Sequence, residues 1–351
     1  MTAIGNPPRE NGGLEGPTEV TLKDIARLAG VSMSTVSRAI HRPEIVAGPK
    51  LEAVRKVLER FSYIPNNAAR ILSRGRSMTV GMIVPTLANP LFAPTIEAAE
   101  ETLRAAGYGV LVACSNRNAD REFEQVKTML ERGVDGLILT GSIHREEMFP
   151  LLEAKGVDAV FQDCPDVFNN CISVAMQDAA AMELVVDTLV ERGHRRIAVL
   201  TGPTQNTPAV AERVRGARER LQALGMTVGD ADIAEAADYD AATAKFAMQV
   251  LLARQPRYTA IACTGDILAL GAIMAIREAG LSVPDDISII GCSDSVMAQF
   301  VDPPLTTVHM PFRRMGEIAS ERLLDRLNGV RTSQLHTLDF HLEDRRSVRA
   351  L

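Results

Sequence analysis

The stretch AGVSMSTVSRAI, residues 29–40, places Ser34, Thr35, Ser37 and Arg38 along the opening turns of a short helical segment. Serine and threonine are mediocre helix formers, so neither a buried helix nor a merely solvated one accounts for them. Short hydroxyls do let a helix approach a phosphodiester backbone and donate to its oxygens. Arg38 can span O6 and N7 of a guanine, and Met33 can lie against a thymine methyl. The chemistry these residues suit is therefore DNA recognition. Catalytic patterns do not compete with it: the sequence has no GxGxxG after a strand, no GxxxxGKS/T, no GxSxG and no HExxH. His144, His194, His309, His336 and His341 show no metal-ligand spacing. No cofactor and no metal are expected, and the chain does not read as an enzyme.

The elements that must hold these side chains are legible around them. Thr21 stands as N-cap to LKDIARLA, with Asp24 in the first turn where its charge suits the helix dipole. Gly30 closes that helix, Val31 fills the corner, and Ser32 caps a second helix from Met33 to Ile40. Val36, Ala39 and Ile40 face inward, leaving Met33, Ser34, Thr35, Ser37 and Arg38 outside. A third helix, Lys50 to Phe61, supplies Leu51, Val54, Val57, Leu58 and Phe61 to a small core, and Pro65 ends the run. Two helices joined by a tight turn, the second presenting its N-terminal residues, form a helix-turn-helix. Charge agrees. The whole chain carries −6, yet residues 18–76 hold 11 Lys/Arg against 5 Asp/Glu, while residues 77–351 hold 26 against 37. A basic module joined to an acidic body is the footprint of a nucleic-acid binder.

At 351 residues with 46% hydrophobic side chains, the chain suits two or three globular domains. No apolar run approaches the roughly 20 residues that span a bilayer. Residues 1–17, rich in Gly, Pro, Asn and Glu, read as a disordered arm rather than a secretory signal. The five cysteines form no CxxC, and their odd number argues against a disulfide framework. A reduced, cytoplasmic protein is expected. From residue 79 short apolar strands (TVGMIVP, YGVLVAC, VDGLILT, DAVFQD, CISVAM, RRIAVLTG, AIACTG, ISIIGCS) alternate with helices, and a last strand is placed at about 335–343. That alternation predicts two doubly wound subdomains of parallel sheet covered on both faces. Ligands of such folds lie outside the carboxyl ends of strands, so a cleft between the subdomains is the expected site.

VTLKDIARLAGVSMSTVSRAI followed by YIPNNAARILSRGRS resembles the lactose-repressor (LacI/GalR) family of bacterial transcription regulators, and the order of elements agrees to about residue 347. The resemblance implies an all-α headpiece over 18–64, a hinge helix within 65–76 and a core over 77–347 like the periplasmic sugar-binding proteins. Crossovers near 175, 310 and 330 would divide that core into an N-subdomain (about 77–175 and 311–330) and a C-subdomain (about 176–310 and 331–347). It implies base contacts from Met33, Ser34 and Arg38, and phosphate contacts from Thr21, Ser32, Thr35, Ser37 and Tyr63. His41 stands where relatives commonly have Asn. Ala47-Gly48 replaces a capping Ser, a loss of about 1 kcal/mol of local stability. The hinge helix would contribute Asn66, Ala69 and Leu72, with Leu72 wedged into a central minor-groove step.

For the cleft, the resemblance points to Phe92, Arg213, Tyr239, Asp266, Ser293 and Asp294, and Asp163 follows the fourth strand. Ser293 stands where an effector-binding Asp is usual. The loss of that anion favours a ligand that is itself anionic, a sugar acid such as gluconate or a related hexuronate, with Arg213 as the cation that would pair with its carboxylate; a neutral sugar stays equally open. The expected protein is thus a dimeric repressor of palindromic double-stranded DNA, its operator affinity set allosterically by a sugar or sugar acid, with no membrane partner. The first body helix and its N-subdomain neighbours are the expected dimer face. The alternative is a solute-binding or sensor protein with the same cleft. Leu72→Ala is expected to leave the fold intact and weaken operator binding at least tenfold in a binding titration; unchanged affinity would remove the wedge.

Overall fold

The computed structural model describes residues 20–61, 63, 75–166, 171–254, 257–330 and 333–351. The chain divides into two compact units, Met1–Gly75 and Arg76–Leu351. The arm expected at 1–17 and the hinge residues Asn66, Ala69 and Leu72 lie outside the described residues, as does Pro65.

The first unit holds α1 (Leu22–Ala29), α2 (Met33–His41) and α3 (Gly48–Arg60). Thr21 and Asp24 form a reciprocal capping box on α1, and Gly30 ends that helix in the left-handed conformation at φ 66°. Ile25, Ala26, Val36, Ala39 and Val54 make the buried core, with Leu51, Val57 and Leu58 packed around it. Phe61, expected inside, is 38% exposed and follows the end of α3. Helix α3 begins two residues before Lys50, although Ala47 offers no side-chain cap. Gly48 and Pro49 open its first turn, where the missing proline N–H costs nothing.

The second unit contains two six-stranded sheets. Strands β1 (Thr79–Val84), β2 (Gly109–Cys114), β3 (Gly136–Thr140), β4 (Asp158–Gln162) and β5 (Ile172–Ala175) belong to the first. Helices α4 (Ala93–Ala105), α5 (Ala119–Glu131) and α6 (Met148–Lys155) connect its first four strands in turn. After α7 (Asp178–Glu191) the second sheet is built from β6 (Ile197–Thr201), β7 (Ile233–Glu235), β8 (Ala260–Cys263), β9 (Ser288–Ser293) and β10 (Thr306–His309). Helices α8 (Pro208–Ala223), α9 (Ala241–Leu252) and α10 (Asp266–Glu278) lie between those strands. Helix α11 (Phe312–Leu327) and strands β11 (Leu335–Thr337) and β12 (His341–Glu343) complete the chain. The orders are β11-β5-β4-β3-β1-β2 and β12-β10-β9-β8-β6-β7, all parallel except the β10–β12 pair.

Three readings of the sequence are corrected. Strands β7 and β10 were not expected: β7 is a three-residue edge, and β10 reads TTVH, too polar to signal a buried strand. Thr306 and Thr307 are nevertheless fully buried, because Thr307 Oγ1 donates to Asp266 Oδ1 at 2.6 Å and Thr306 N donates to Ser347 Oγ at 2.8 Å. The single last strand at 335–343 is two strands in different sheets, β11 pairing with β5 and β12 with β10. The third crossover therefore lies at 338–340, not near 330, and β11 belongs with the N-subdomain sheet. Leu338 is held there on both sides, its N–H donating to Ala175 O and its carbonyl accepting from Gln177 Nε2.

Helix pairs covering the sheets approach to backbone contact. A Cβ added at Gly316 of α11 would lie 2.2 Å from Thr95 O of α4; one at Gly216 of α8, 2.3 Å from Ala179 O of α7; one at Gly271 of α10, 2.3 Å from Ala241 O of α9. All five cysteines are free, and no helix among the described residues is long and apolar enough to cross a membrane. Gly271→Ala is expected to force α9 and α10 apart and cost about 1–3 kcal/mol, read as a lower denaturant midpoint; an unchanged midpoint would show that the crossing can relax.

Candidate nucleic-acid interface and effector cavity

On α2 the side chains expected to meet DNA are outside. Thr21, Ser32, Met33, Ser34, Ser37 and Arg38 are exposed, Met33 at 56%, while Thr35 is half-buried. Ser32 Oγ accepts from the Thr35 N–H at 3.2 Å and lies 2.9 Å from both Ser34 Oγ and Thr35 Oγ1. Arg38 folds back over the same turn, donating from Nε to Ser34 O (3.1 Å) and from Nη2 to Ser34 Oγ (3.3 Å). One hydroxyl cluster thus caps the helix and restrains the cation. The Thr21 hydroxyl beside Asp24 holds that carboxyl below the usual carboxylate range. Tyr63 packs half-buried against the headpiece core, its N–H donating to Leu58 O. His41 ends α2. The side chain of His41, like Asn66, Ala69 and Leu72, lies outside the described residues.

In the second unit, a cavity opens where strands of both sheets end. Four of the seven expected effector residues line it: Phe92, Asp163, Arg213 and Tyr239. Phe92 comes from the turn before α4 and is 6% exposed. Arg213 projects from α8, fully surrounded: Nε donates to Asp178 Oδ1 at 2.7 Å and Nη1 to Thr264 O at 2.9 Å. Its guanidinium is held well above its ordinary pKa; burial opposes the charge, and the Cys292, Asp178, Tyr239 and Asp163 side chains around it outweigh that penalty. Tyr239 donates its hydroxyl to the same Thr264 carbonyl at 2.8 Å. Its ring occupies space left by two glycines after β6 and β8: a Cβ on Gly202 would come within 2.2 Å of the ring, and one on Gly265 within 2.1 Å of the hydroxyl.

Asp163 follows β4 in the left-handed conformation (φ 55°), and its buried Oδ1 has no hydrogen-bond partner among the described residues. Burial pushes its carboxyl up to about 7; the Asp178 carboxylate adds to the rise and Arg213 opposes it. An unpaired buried acceptor of this kind is costly unless a ligand completes it.

The remaining three expected residues sit elsewhere. Asp294 does not line the cavity: it accepts from Arg345 Nη2 at 2.7 Å and lies 3.0 Å from His309 Nδ1, an ion-paired tie between β9, β10 and the C-terminal segment. Asp266 is 1% exposed, its Oδ1 on Thr307 Oγ1 and its Oδ2 accepting from Ser295 N at 2.6 Å. Burial raises its pKa against those hydrogen bonds. With Ser293 it borders a small recess that adjoins the cavity, the two sharing Asn89, Leu91 and Tyr239. The reading of the sequence in turn missed Asn89, Arg117, Glu122 and Asn206 in the cavity wall. Their signal was position, since Asn89, Arg117 and Asn206 follow the ends of β1, β2 and β6 and Glu122 sits in the first turn of α5.

A model of bacterial regulatory proteins, lacI family, matches residues 21–66, and one of a periplasmic binding protein-like domain matches residues 186–348. The chain is 34% identical over 333 residues to the HTH-type transcriptional repressor PurR of Edwardsiella ictaluri, covering 93% of this chain and 96% of that one. Among solved structures it is similar to a lac repressor dimer bound to operator and an anti-inducer (TM-score 0.84, 28% identity, 95% and 100% covered). It is also similar to a transcriptional regulator CelR–cellobiose complex (TM-score 0.69, 31% identity, 93% and 99% covered).

Because Asp163 keeps a proton in the folded protein that the unfolded chain releases near its ordinary 3.8, its contribution to stability falls as pH rises from about 4 to about 7. Asp163→Asn is expected to raise stability at pH 8 by about 1–3 kcal/mol and to flatten that fall, followed by thermal melts across pH 4–8. A melting profile that keeps its wild-type pH dependence would contradict the assignment.

Proposed function

The chain belongs to the lacI family of bacterial regulatory proteins and is a DNA-binding transcriptional repressor with an effector-binding core; from that premise we propose that a small hydroxyl-rich molecule, a sugar or sugar acid, fills the cavity and sets operator affinity. The carrying observation is Asp163, whose unpartnered buried Oδ1 faces a cavity walled by Arg213, Tyr239 and Phe92 at the ends of strands. A ligand hydroxyl donating to Asp163 would complete the acceptor that folding leaves empty. The similar CelR structure holds cellobiose, which supports a hydroxylated ligand of this kind.

The charge balance favours a neutral sugar. Arg213, the cation on which a carboxylate would depend, is already bound through Nε to Asp178, and Asp163 and Glu122 bring further acid to the wall. Arg117, for which the described residues show no ion pair, is the cation left for a sugar acid. The protein would act in the cytoplasm as a homodimer on a palindromic site, because one short recognition helix supplies few base contacts and a two-fold protein reads two half-sites. Effector would shift the population between two arrangements of the subdomains and thereby change the grip of the paired headpieces.

The test is a gel shift on DNA flanking the gene, repeated with glucose, galactose, cellobiose and gluconate. Retardation of a specific fragment that resists competitor DNA, altered by one neutral sugar at lower concentration than by gluconate, is the expected result. Equal retention of random and genomic fragments, whatever sugar is added, would overturn the regulator reading. Response to gluconate alone would overturn the preference for a neutral ligand.

A further inference from the structure

Glu122 of the cavity wall is half of a buried acid–base pair whose other member, His144, has had no part in the binding scheme above. Glu122 sits in the first turn of α5, and His144 in the loop after β3; their side chains are 4% and 2% exposed. His144 Nδ1 lies 2.6 Å from Glu122 Oε2, and Nε2 lies 2.9 Å from Gly141 O. A carbonyl only accepts, so Nε2 carries a proton. Two bare acceptors do not approach to 2.6 Å, so a second proton lies between Nδ1 and the carboxylate. The ring rests against Phe161, centroids 4.7 Å apart, with Phe149 edge-on at 6.4 Å, and an aromatic face suits a cationic ring. Arg145 pairs at the surface with Asp120 and Glu147, while Arg117, Asp163 and Arg213 share the cavity wall with Glu122.

A buried ion pair adds little net stability after desolvation, so holding up the fold is a weak reason for its place in the wall. Its geometry offers a better one. Glu122 lines the cavity, its Oε2 is taken by His144, and its Oε1 has no partner among the described residues and is not sealed from solvent. We propose that His144 and Glu122 form a carboxylate–imidazolium pair that presents Glu122 Oε1 to the ligand as a fixed hydrogen-bond acceptor, making Glu122 a specificity residue that selects a hydroxyl and repels a carboxylate. The proposal rests on the ligand reading above and adds a second acceptor to Asp163. The two together suit a ligand with two separated hydroxyl donors.

Glu122→Gln removes the negative charge at this point. A neutral His144 keeps its proton on Nε2 for Gly141 O, its Nδ1 accepts from the amide nitrogen, and the uncharged amide oxygen turns to the cavity. Titration calorimetry on the full-length wild type and Glu122→Gln, with glucose and gluconate as probes, reads the ratio of the two affinities. The expected ratio of glucose to gluconate falls at least tenfold in the variant, whereas a purely structural change weakens both alike. An unchanged ratio would overturn the proposal. Nitrogen-detected NMR of His144 in the ligand-free protein provides an arm independent of any sugar. Both ring nitrogens protonated at pH 7.5 in the wild type, and one only in Glu122→Gln, is the supporting outcome. A neutral His144 in the wild type overturns it. If neither sugar binds either protein, the ligand class proposed above fails while the NMR result still decides the pair.

Discussion

A guanidinium sealed from water must be surrounded by acceptors, and Arg213 imposes that requirement on the whole effector core. Asp178 at the start of α7 and the Thr264 carbonyl after β8 answer it, so one side chain fixes the spacing of two helices and a strand end. Tyr239 shares the same carbonyl, which sets the ring that walls the cavity and demands the two glycines behind it. Asp163 feels the same charge without a direct bond. Removing either partner of such a pair strands a buried charge, a larger loss than the net contribution of the intact pair. The cavity's shape and its electrostatics are therefore set together.

The headpiece solves the opposite problem. Its polar side chains are exposed and wait for an outside partner, yet they are not loose. Ser32, Ser34 and Thr35 bond among themselves, and Arg38 lies along Ser34. Exchanging these local bonds for bonds to DNA releases less rotamer freedom than ordering free chains would consume. Mediocre helix formers are tolerated here because the same hydroxyls that weaken the helix interior satisfy its first turn.

Much of this was legible in residue order. The capping Thr21 and Ser32, the left-handed Gly30 and the inward Val36 follow from local rules that tertiary packing did not override. Strands β1, β3, β6 and β8 announce themselves as apolar runs. What hid was decided by partners distant in sequence. Thr306 and Thr307 look like loop until Asp266 and Ser347 are placed against them, and nothing within LHTLDFHLE reveals that its halves join different sheets. The cavity was legible to the extent that strand ends were. At Asp294 residue order showed a charge at a strand end but not its partner Arg345, 51 residues on. Glu122 and His144 were invisible because neither means anything until the loop after β3 folds back on α5.

The chain passes between its two sheets three times, just after Ala175, just after His309, and at 338–340, where Leu338 is gripped by Ala175 and Gln177 beside the first passage. Tethers clustered in this way resist pulling apart and sliding, but yield to torsion about an axis running along them. A ligand that drew the two lobes together, as proposed above, would therefore turn one against the other, and a turn is the kind of displacement that can be carried over distance without loosening the packed layers that carry it.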